Sequence, residues 1–84
     1  MPGREEARLG RLRWRCRRGM KELDLVLAGW LEHRYAGSPP HLRSAFERLL
    51  EAQDPELVNW LFRHDRPADP DLAALVDEML DRTR

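Results

Sequence analysis

Hydrophobic residues recur along this chain at the spacing of an α-helix. Apolar side chains follow one another at intervals of three, four and seven residues, which places them on one face of a helix. This pattern predicts five amphipathic helices. Their apolar stripes are Leu9, Leu12 and Cys16; Leu23, Val26, Leu27, Trp30 and Leu31; Leu42, Ala45, Phe46, Leu49 and Leu50; Leu57, Val58, Leu61 and Phe62; and Leu72, Leu75, Val76, Met79 and Leu80.

Polar residues followed by proline mark three of the helix starts. Ser38-Pro39, Asp54-Pro55 and Asp69-Pro70 each place a capping side chain before a proline, whose missing N–H costs nothing in the first helical turn. Gly19 and Gly37 suit the left-handed conformation that often follows a helix end. The predicted helices cover about residues 5–17, 20–36, 39–53, 55–65 and 70–82.

Composition favours an all-α fold, in the form of a compact single-domain bundle of five short helices. The 84 residues include 14 leucines and 8 alanines but only four β-branched residues, which sheets prefer. The longest apolar run, residues 25–31, is too short to span a membrane, and residues 1–6 lack the apolar segment of a signal peptide. We therefore expect a cytoplasmic protein without membrane insertion. We also expect a monomer, because one small core uses the apolar residues.

Charge is divided unevenly, although the formal net charge is zero. Residues 1–22 carry eight basic and three acidic side chains, whereas residues 23–84 carry seven basic and twelve acidic ones. The Arg-rich segment 11–18 could meet nucleic acid with Trp14 available for stacking, but the acidic remainder would repel a long phosphate backbone. A solvated helix face and docking to an acidic protein surface or an anionic cofactor region are the other interpretations. Trp14 lies off the apolar stripe, which makes it a candidate anchor at an interface.

Metal binding and nucleophilic catalysis have little support. The three histidines, His33, His41 and His64, lack the close spacing of zinc ligands. Cys16 has arginines on both sides that could lower its pKa, but we favour a small apolar residue on the inner face of the first helix. The glycines are scattered and form no phosphate-binding loop.

The junction between the first two helices, residues 17–24, is the most distinctive segment. Gly19 allows the backbone to turn where a side chain would clash. Arg18 and Glu22 lie four residues apart around this corner. They are either helix-capping residues or part of a protruding corner that presents a guanidinium, a carboxylate and Met20 together. Such a corner suits insertion into a partner's cleft, where arginine can fork onto a carboxylate or phosphate.

The same segment resembles the signature of a known family. Residues 14–24, WRCRRGMKELD, are similar to the motif of the succinate dehydrogenase FAD assembly factors, the SdhE family, whose RGxxE core falls on Arg18, Gly19 and Glu22. RGxxE alone is a weak pattern, but the flanking residues make it specific. The resemblance continues through residues 46–61 and 67–69 and covers nearly the whole chain.

The resemblance implies a bundle of five helices and a chaperone, not an enzyme. It implies binding to the flavoprotein subunit of succinate dehydrogenase, and often of fumarate reductase, whose own histidine attacks the 8α-methyl group of FAD. The chain would hold no cofactor stably and would act on the FAD of its partner. An older family label, the antitoxin half of a toxin–antitoxin pair, would instead make it a binding module for a different partner. The resemblance places Arg18, Gly19 and Glu22 at the interface with the flavoprotein. We expect Arg11, Trp14, Arg17, Met20 and Asp24 to belong to the same partner-binding surface.

Overall fold

The computed structural model describes residues 3–83, with the backbone alone for residues 82 and 83, so residues 1, 2 and 84 of the predicted domain lie outside it. The described residues form five helices and no strand, which confirms the all-α prediction. None of these helices has the length and hydropathy needed to cross a membrane. The first four end earlier than predicted, at residues 15, 33, 49 and 62 instead of 17, 36, 53 and 65. The helices are α1 (Arg4–Arg15), α2 (Lys21–His33), α3 (Pro40–Leu49), α4 (Asp54–Phe62) and α5 (Pro70–Thr83).

The three proline-marked helix starts differ in how they are capped. Asp69 caps α5 as predicted, because its carboxylate accepts the N–H groups of Asp71 at 2.8 Å and Leu72 at 3.2 Å. The predicted Ser38 cap is wrong, since Pro39 occupies the capping position of α3. The Ser38 hydroxyl donates instead to the carbonyl four residues earlier, at 2.7 Å. Proline therefore locates a helix start to within a residue but does not identify the cap.

Two further boundary predictions are corrected by contacts of the neighbouring residues. Asp54 is the first residue of α4 and not its cap, and its carboxylate accepts a hydrogen bond from Arg18. The end of α2 is closed by the N–H of Tyr35, which donates to the carbonyl of Trp30 at 3.0 Å. Gly37 therefore lies in the turn beyond the helix and outside the left-handed region.

One hydrophobic core joins the five helices. α5 packs mainly against α3 and also contacts α2 and α4, while α1 packs against α2. Trp30 stacks on Phe46 with ring centroids 4.8 Å apart, and Tyr35 approaches both rings edge-on. The radius of gyration, 12.3 Å, is close to the roughly 12 Å of a single compact domain of this length. The buried hydrophobic residues of this core are Leu12, Cys16, Leu23, Leu27, Trp30, Leu31, Tyr35, Ala45, Phe46, Leu49, Leu50, Leu57, Leu61, Leu75, Val76 and Met79.

The predicted stripes face this core except in α4, where Val58 is half-buried and lies outside the core cluster. Phe62 is 40% exposed, so its predicted core position is wrong, because the helix ends at this residue. Tyr35 takes a core position that the periodicity did not predict. Its hydroxyl donates to the Glu47 carboxylate at 3.1 Å, and that carboxylate also accepts from Arg8. Burial and this hydrogen bond raise the pKa of Tyr35, and the cluster links α1 to α3.

Candidate functional site

A left-handed glycine builds the corner between α1 and α2. α1 ends at Arg15, and Gly19 has a φ of 82°, a region that side-chain-bearing residues rarely adopt. A Cβ added at Gly19 would meet no atom within 4 Å, so the predicted clash is wrong. The backbone conformation, not crowding, accounts for the glycine. Because no atom lies close to this position, the surface around Gly19 is open.

Asp24 fixes the corner from the first turns of α2. Its carboxylate accepts the backbone N–H of Arg18 at 2.8 Å, and its own N–H donates to the carbonyl of Met20 at 2.8 Å. The Asp24 side chain is half-buried as a result. Asp24 therefore shapes the corner, and its direct contact with a partner stays a prediction.

The Arg18 side chain turns inward and is only 14% exposed. Its guanidinium donates to the Asp54 carboxylate at 3.1 Å, to the Ala52 carbonyl at 3.1 Å and to the Leu50 carbonyl. Its Nε donates to the Arg15 carbonyl at 2.9 Å. Because two of these acceptors belong to the turn between α3 and α4 and the third, Asp54, begins α4, Arg18 ties the α1–α2 corner to that turn. The prediction of a corner that presents this guanidinium to a partner is therefore corrected.

The outer surface of the corner is formed by the residues that follow the glycine. Met20 is 41% exposed. Glu22, the second residue of α2, is exposed, and its carboxylate makes no hydrogen bond or ion pair with any described residue. The helix dipole stabilises a carboxylate near a helix N-terminus, even where that carboxylate has no side-chain partner. The structure thus separates the motif into an inward arginine and an outward carboxylate.

The outer face of α1 carries the predicted aromatic anchor. Trp14 is 70% exposed, as expected for a residue off the apolar stripe. The guanidinium of Arg17 lies 5.5 Å from the centroid of its ring, within the range of a cation–π contact. Gly10 and Arg11 line a shallow groove beside Trp14. The predicted residues Arg11, Trp14 and Arg17 therefore share an exposed surface next to the corner.

Two grooves flank the corner. The α1–α2 groove is an open depression of about 760 Å³, and the α2–α4 groove is a smaller one of about 420 Å³. Leu25 in the first is 64% exposed and was missed, although an apolar residue off the stripe of α2 is the same signal that identified Trp14. The α1–α2 groove is lined by Arg13, Cys16, Arg17, Gly19, Lys21, Asp24, Leu25, Ala28 and Glu32. The α2–α4 groove is lined by Met20, Lys21, Glu22, Leu23, Val58 and Phe62.

Cys16 takes the buried position that was favoured, and the three histidines lie at the surface. Cys16 is 1% exposed, and burial raises the pKa of its thiol to about 11, although Arg18 opposes the shift. A protonated, buried thiol is a poor nucleophile. His33 ends α2, His41 lies in α3 and His64 follows α4, all of them exposed. The part of the chain that the structure describes contains no group of three His, Cys, Asp or Glu side chains placed to hold a metal ion.

Comparison with known proteins adds two findings. A family model described as the flavinator of succinate dehydrogenase matches residues 10–83. Proteins named FAD assembly factor SdhE from Yersinia pseudotuberculosis and Yersinia pestis are each 40% identical over 74 residues, which are 88% of this chain and 84% of theirs. A protein of the same name from Pectobacterium atrosepticum is 39% identical with the same coverage. The matched region includes the whole α1–α2 corner.

Proposed function

We propose, since this chain belongs to the family of succinate dehydrogenase flavinators, that it binds the flavoprotein subunit of succinate dehydrogenase and promotes attachment of FAD to a histidine of that subunit. The observation that carries the proposal is the family match over residues 10–83, which also confirms the resemblance seen in residues 14–24. In this proposal the FAD stays with the flavoprotein, which supplies the attacking histidine. The fumarate reductase flavoprotein is proposed as a second client, and the chain is proposed to act as a cytoplasmic monomer.

The contacts of Arg18 support an indirect role for the arginine of the motif. Attachment requires a flavin whose negative charge is stabilised, and preorganised cations can do this directly. The Arg18 guanidinium, however, already donates to the Asp54 carboxylate and to backbone carbonyls. We therefore propose Arg18 as a positioning residue that holds the corner in shape. The gain in rate would then come from the orientation of histidine and flavin within the partner.

The exposed residues of the corner are proposed to make the contact. Glu22 offers a carboxylate without an intramolecular partner, which suits a cationic side chain or a backbone N–H of the flavoprotein. Met20 can adapt its shape to an irregular cleft because its side chain is unbranched and flexible. Trp14 extends this contact surface along α1, where a large aromatic side chain can anchor an interface.

The test is co-expression of the host's succinate dehydrogenase flavoprotein subunit with this chain. After a denaturing gel, covalent flavin still fluoresces in the flavoprotein band, whereas free FAD is lost. Wild type should brighten the band, and Glu22→Ala should not, although its circular dichroism stays helical. The matched control is Glu6→Ala, because Glu6 is also an exposed carboxylate in the first turn of a helix, and it lies at the end of α1 opposite to the corner. Equal bands with and without this chain, together with no co-purification, would overturn the proposal.

A further inference from the structure

The α1–α2 groove contains residues that the family motif does not explain. Leu25 and Ala28 of α2 supply apolar side chains to its lining, and Arg13 and Lys21 supply cations. A single exposed leucine is ordinary on a protein surface. Here the leucine, 64% exposed, lies in a depression between two helices and beside a cluster of cations. That combination indicates a surface that can bind another chain.

The cations of this groove are unpaired within the described residues. Arg13 and Lys21 form no ion pair there, and Arg17 contacts only the ring of Trp14. Five arginines elsewhere, in contrast, are each paired with a carboxylate. These pairs are Arg8–Glu47, Arg18–Asp54, Arg34–Glu78, Arg48–Asp69 and Arg66–Asp77. The groove cations are thus available to carboxylates from outside, as are other exposed arginines of the described residues such as Arg4 and Arg11.

The acidic residues of the groove lie at its two ends, so its charge varies along its length. Asp24 already accepts the backbone N–H of Arg18, and it lies at the corner end. Glu32 lies at the other end, seven residues after Leu25 in the same helix. The groove is therefore cationic near the corner, apolar in the middle and acidic at its far end. A polyphosphate backbone in this groove would be repelled by the Glu32 carboxylate and would contact apolar side chains. This arrangement therefore favours a protein segment over nucleic acid.

We infer that the α1–α2 groove is a docking site for an acidic segment of the flavoprotein subunit. The segment places an apolar side chain against Leu25 and carboxylates beside Arg13 and Lys21. Charge complementarity defines the occupant, and continuity with the corner ties it to the same partner, because Gly19 lines the groove. The inference rests on the proposed function and extends the contact to Arg13 and Leu25, which lie outside the motif.

The affinity of the purified FAD-free flavoprotein subunit for this chain tests the inference. Leu25→Ala should weaken binding about tenfold, since it removes most of an apolar side chain that binding would bury. Lys21→Glu should weaken binding by about tenfold at about 50 mM salt and by less at about 500 mM, because salt screens the attraction. The matched control is Arg4→Glu, the same type of charge reversal at the start of α1, away from the groove. Its affinity should stay within about twofold of wild type.

Each outcome distinguishes the inference from the function on which it rests. If wild type binds and both groove variants bind equally well, the docking site is wrong and the proposed function stands. If wild type neither binds nor promotes flavin attachment, both fail. A loss with Arg4→Glu equal to that with Lys21→Glu would also overturn the inference. A wild-type dimer, detected by light scattering and dissociated by Leu25→Ala, would also overturn the inference, because the groove would then bind a second copy of this chain. Binding of free FAD or RNA that only Lys21→Glu abolishes would overturn it as well. Lys21→Glu keeps the test valid if Leu25→Ala unfolds.

Discussion

Replacing Arg18 with alanine removes the tie between the α1–α2 corner and the α3–α4 turn. The guanidinium donates to the carbonyls of Leu50 and Ala52, which would lose a charged donor in a part-buried site. A hydrogen bond from a charged group contributes about 1.5–3 kcal/mol. The bond to Asp54 adds less, because that carboxylate is 38% exposed and water can replace the partner. We therefore expect the free energy of unfolding to fall by about 3 kcal/mol, which lowers the Tm of so small a domain by about 15 °C.

Urea denaturation followed by far-UV circular dichroism measures this loss. The free energy of unfolding of Arg18→Lys should lie between those of wild type and Arg18→Ala, because one ammonium group cannot reach all the acceptors that the planar guanidinium reaches. Arg17→Ala is the matched control: Arg17 is exposed, so its removal should change the free energy of unfolding by less than about 0.5 kcal/mol. An Arg18→Ala variant that is as stable as this control would refute the tie.

The same variant separates positioning from direct action. At a temperature where Arg18→Ala is still fully folded, its loss of flavin attachment should be accompanied by weaker binding to the flavoprotein. Arg18→Lys should recover part of both, because it restores a donor to the turn. Normal binding with no flavin attachment would instead mean that the guanidinium acts on the flavin, and the indirect role would be wrong.

Three further predictions follow from single residues. His64 has a φ of 62°, so His64→Gly should raise the free energy of unfolding in urea by about 0.5–1 kcal/mol, and a loss would contradict strain at this site. Because burial raises the pKa of Cys16 to about 11, iodoacetamide should react slowly with the native chain at about pH 8 and rapidly in urea; equal rates would show an accessible thiol. The hydrogen bond from Arg48 and the N–H of Leu72 lower the pKa of Asp69 from 3.8, so this carboxylate stabilises the fold above that pH and less as the pH falls through its folded pKa. Asp69→Ala should therefore lower the urea midpoint at neutral pH but not in strong acid, and a difference independent of pH would count against the ionic contribution.

The helices could be predicted because their signals are local. The stripe from Leu72 to Leu80 and the cap at Asp69 lie within one segment, and α5 begins where they indicate. The end of α2 depends instead on Tyr35, which enters the core and draws its N–H to the carbonyl of Trp30. Periodicity alone carries no information on such a contact, so the predicted helix was too long.

The corner was predictable in part for the same reason. Gly19 follows a run of arginines at a helix end, and that pattern is visible in one short segment. The inward turn of Arg18 is not, because its acceptors in the α3–α4 turn and at the start of α4 lie 32 to 36 residues away, and two of them are backbone carbonyls. The sequence pattern marks Asp54 as a helix cap, so it gives no reason to identify its side chain as the partner of Arg18.

The three tryptophans occupy three different environments, which gives the molecule its own fluorescent probes. Trp30 is 4% exposed and stacked on Phe46, so its emission should shift to longer wavelength on unfolding. Trp60 is half-buried. Trp14 is 70% exposed beside a guanidinium, so iodide, an anionic quencher, should reach it preferentially in the native state. Protection of that quenched fraction would report occupation of the α1 surface, while the emission of Trp30 would show independently that the fold is intact.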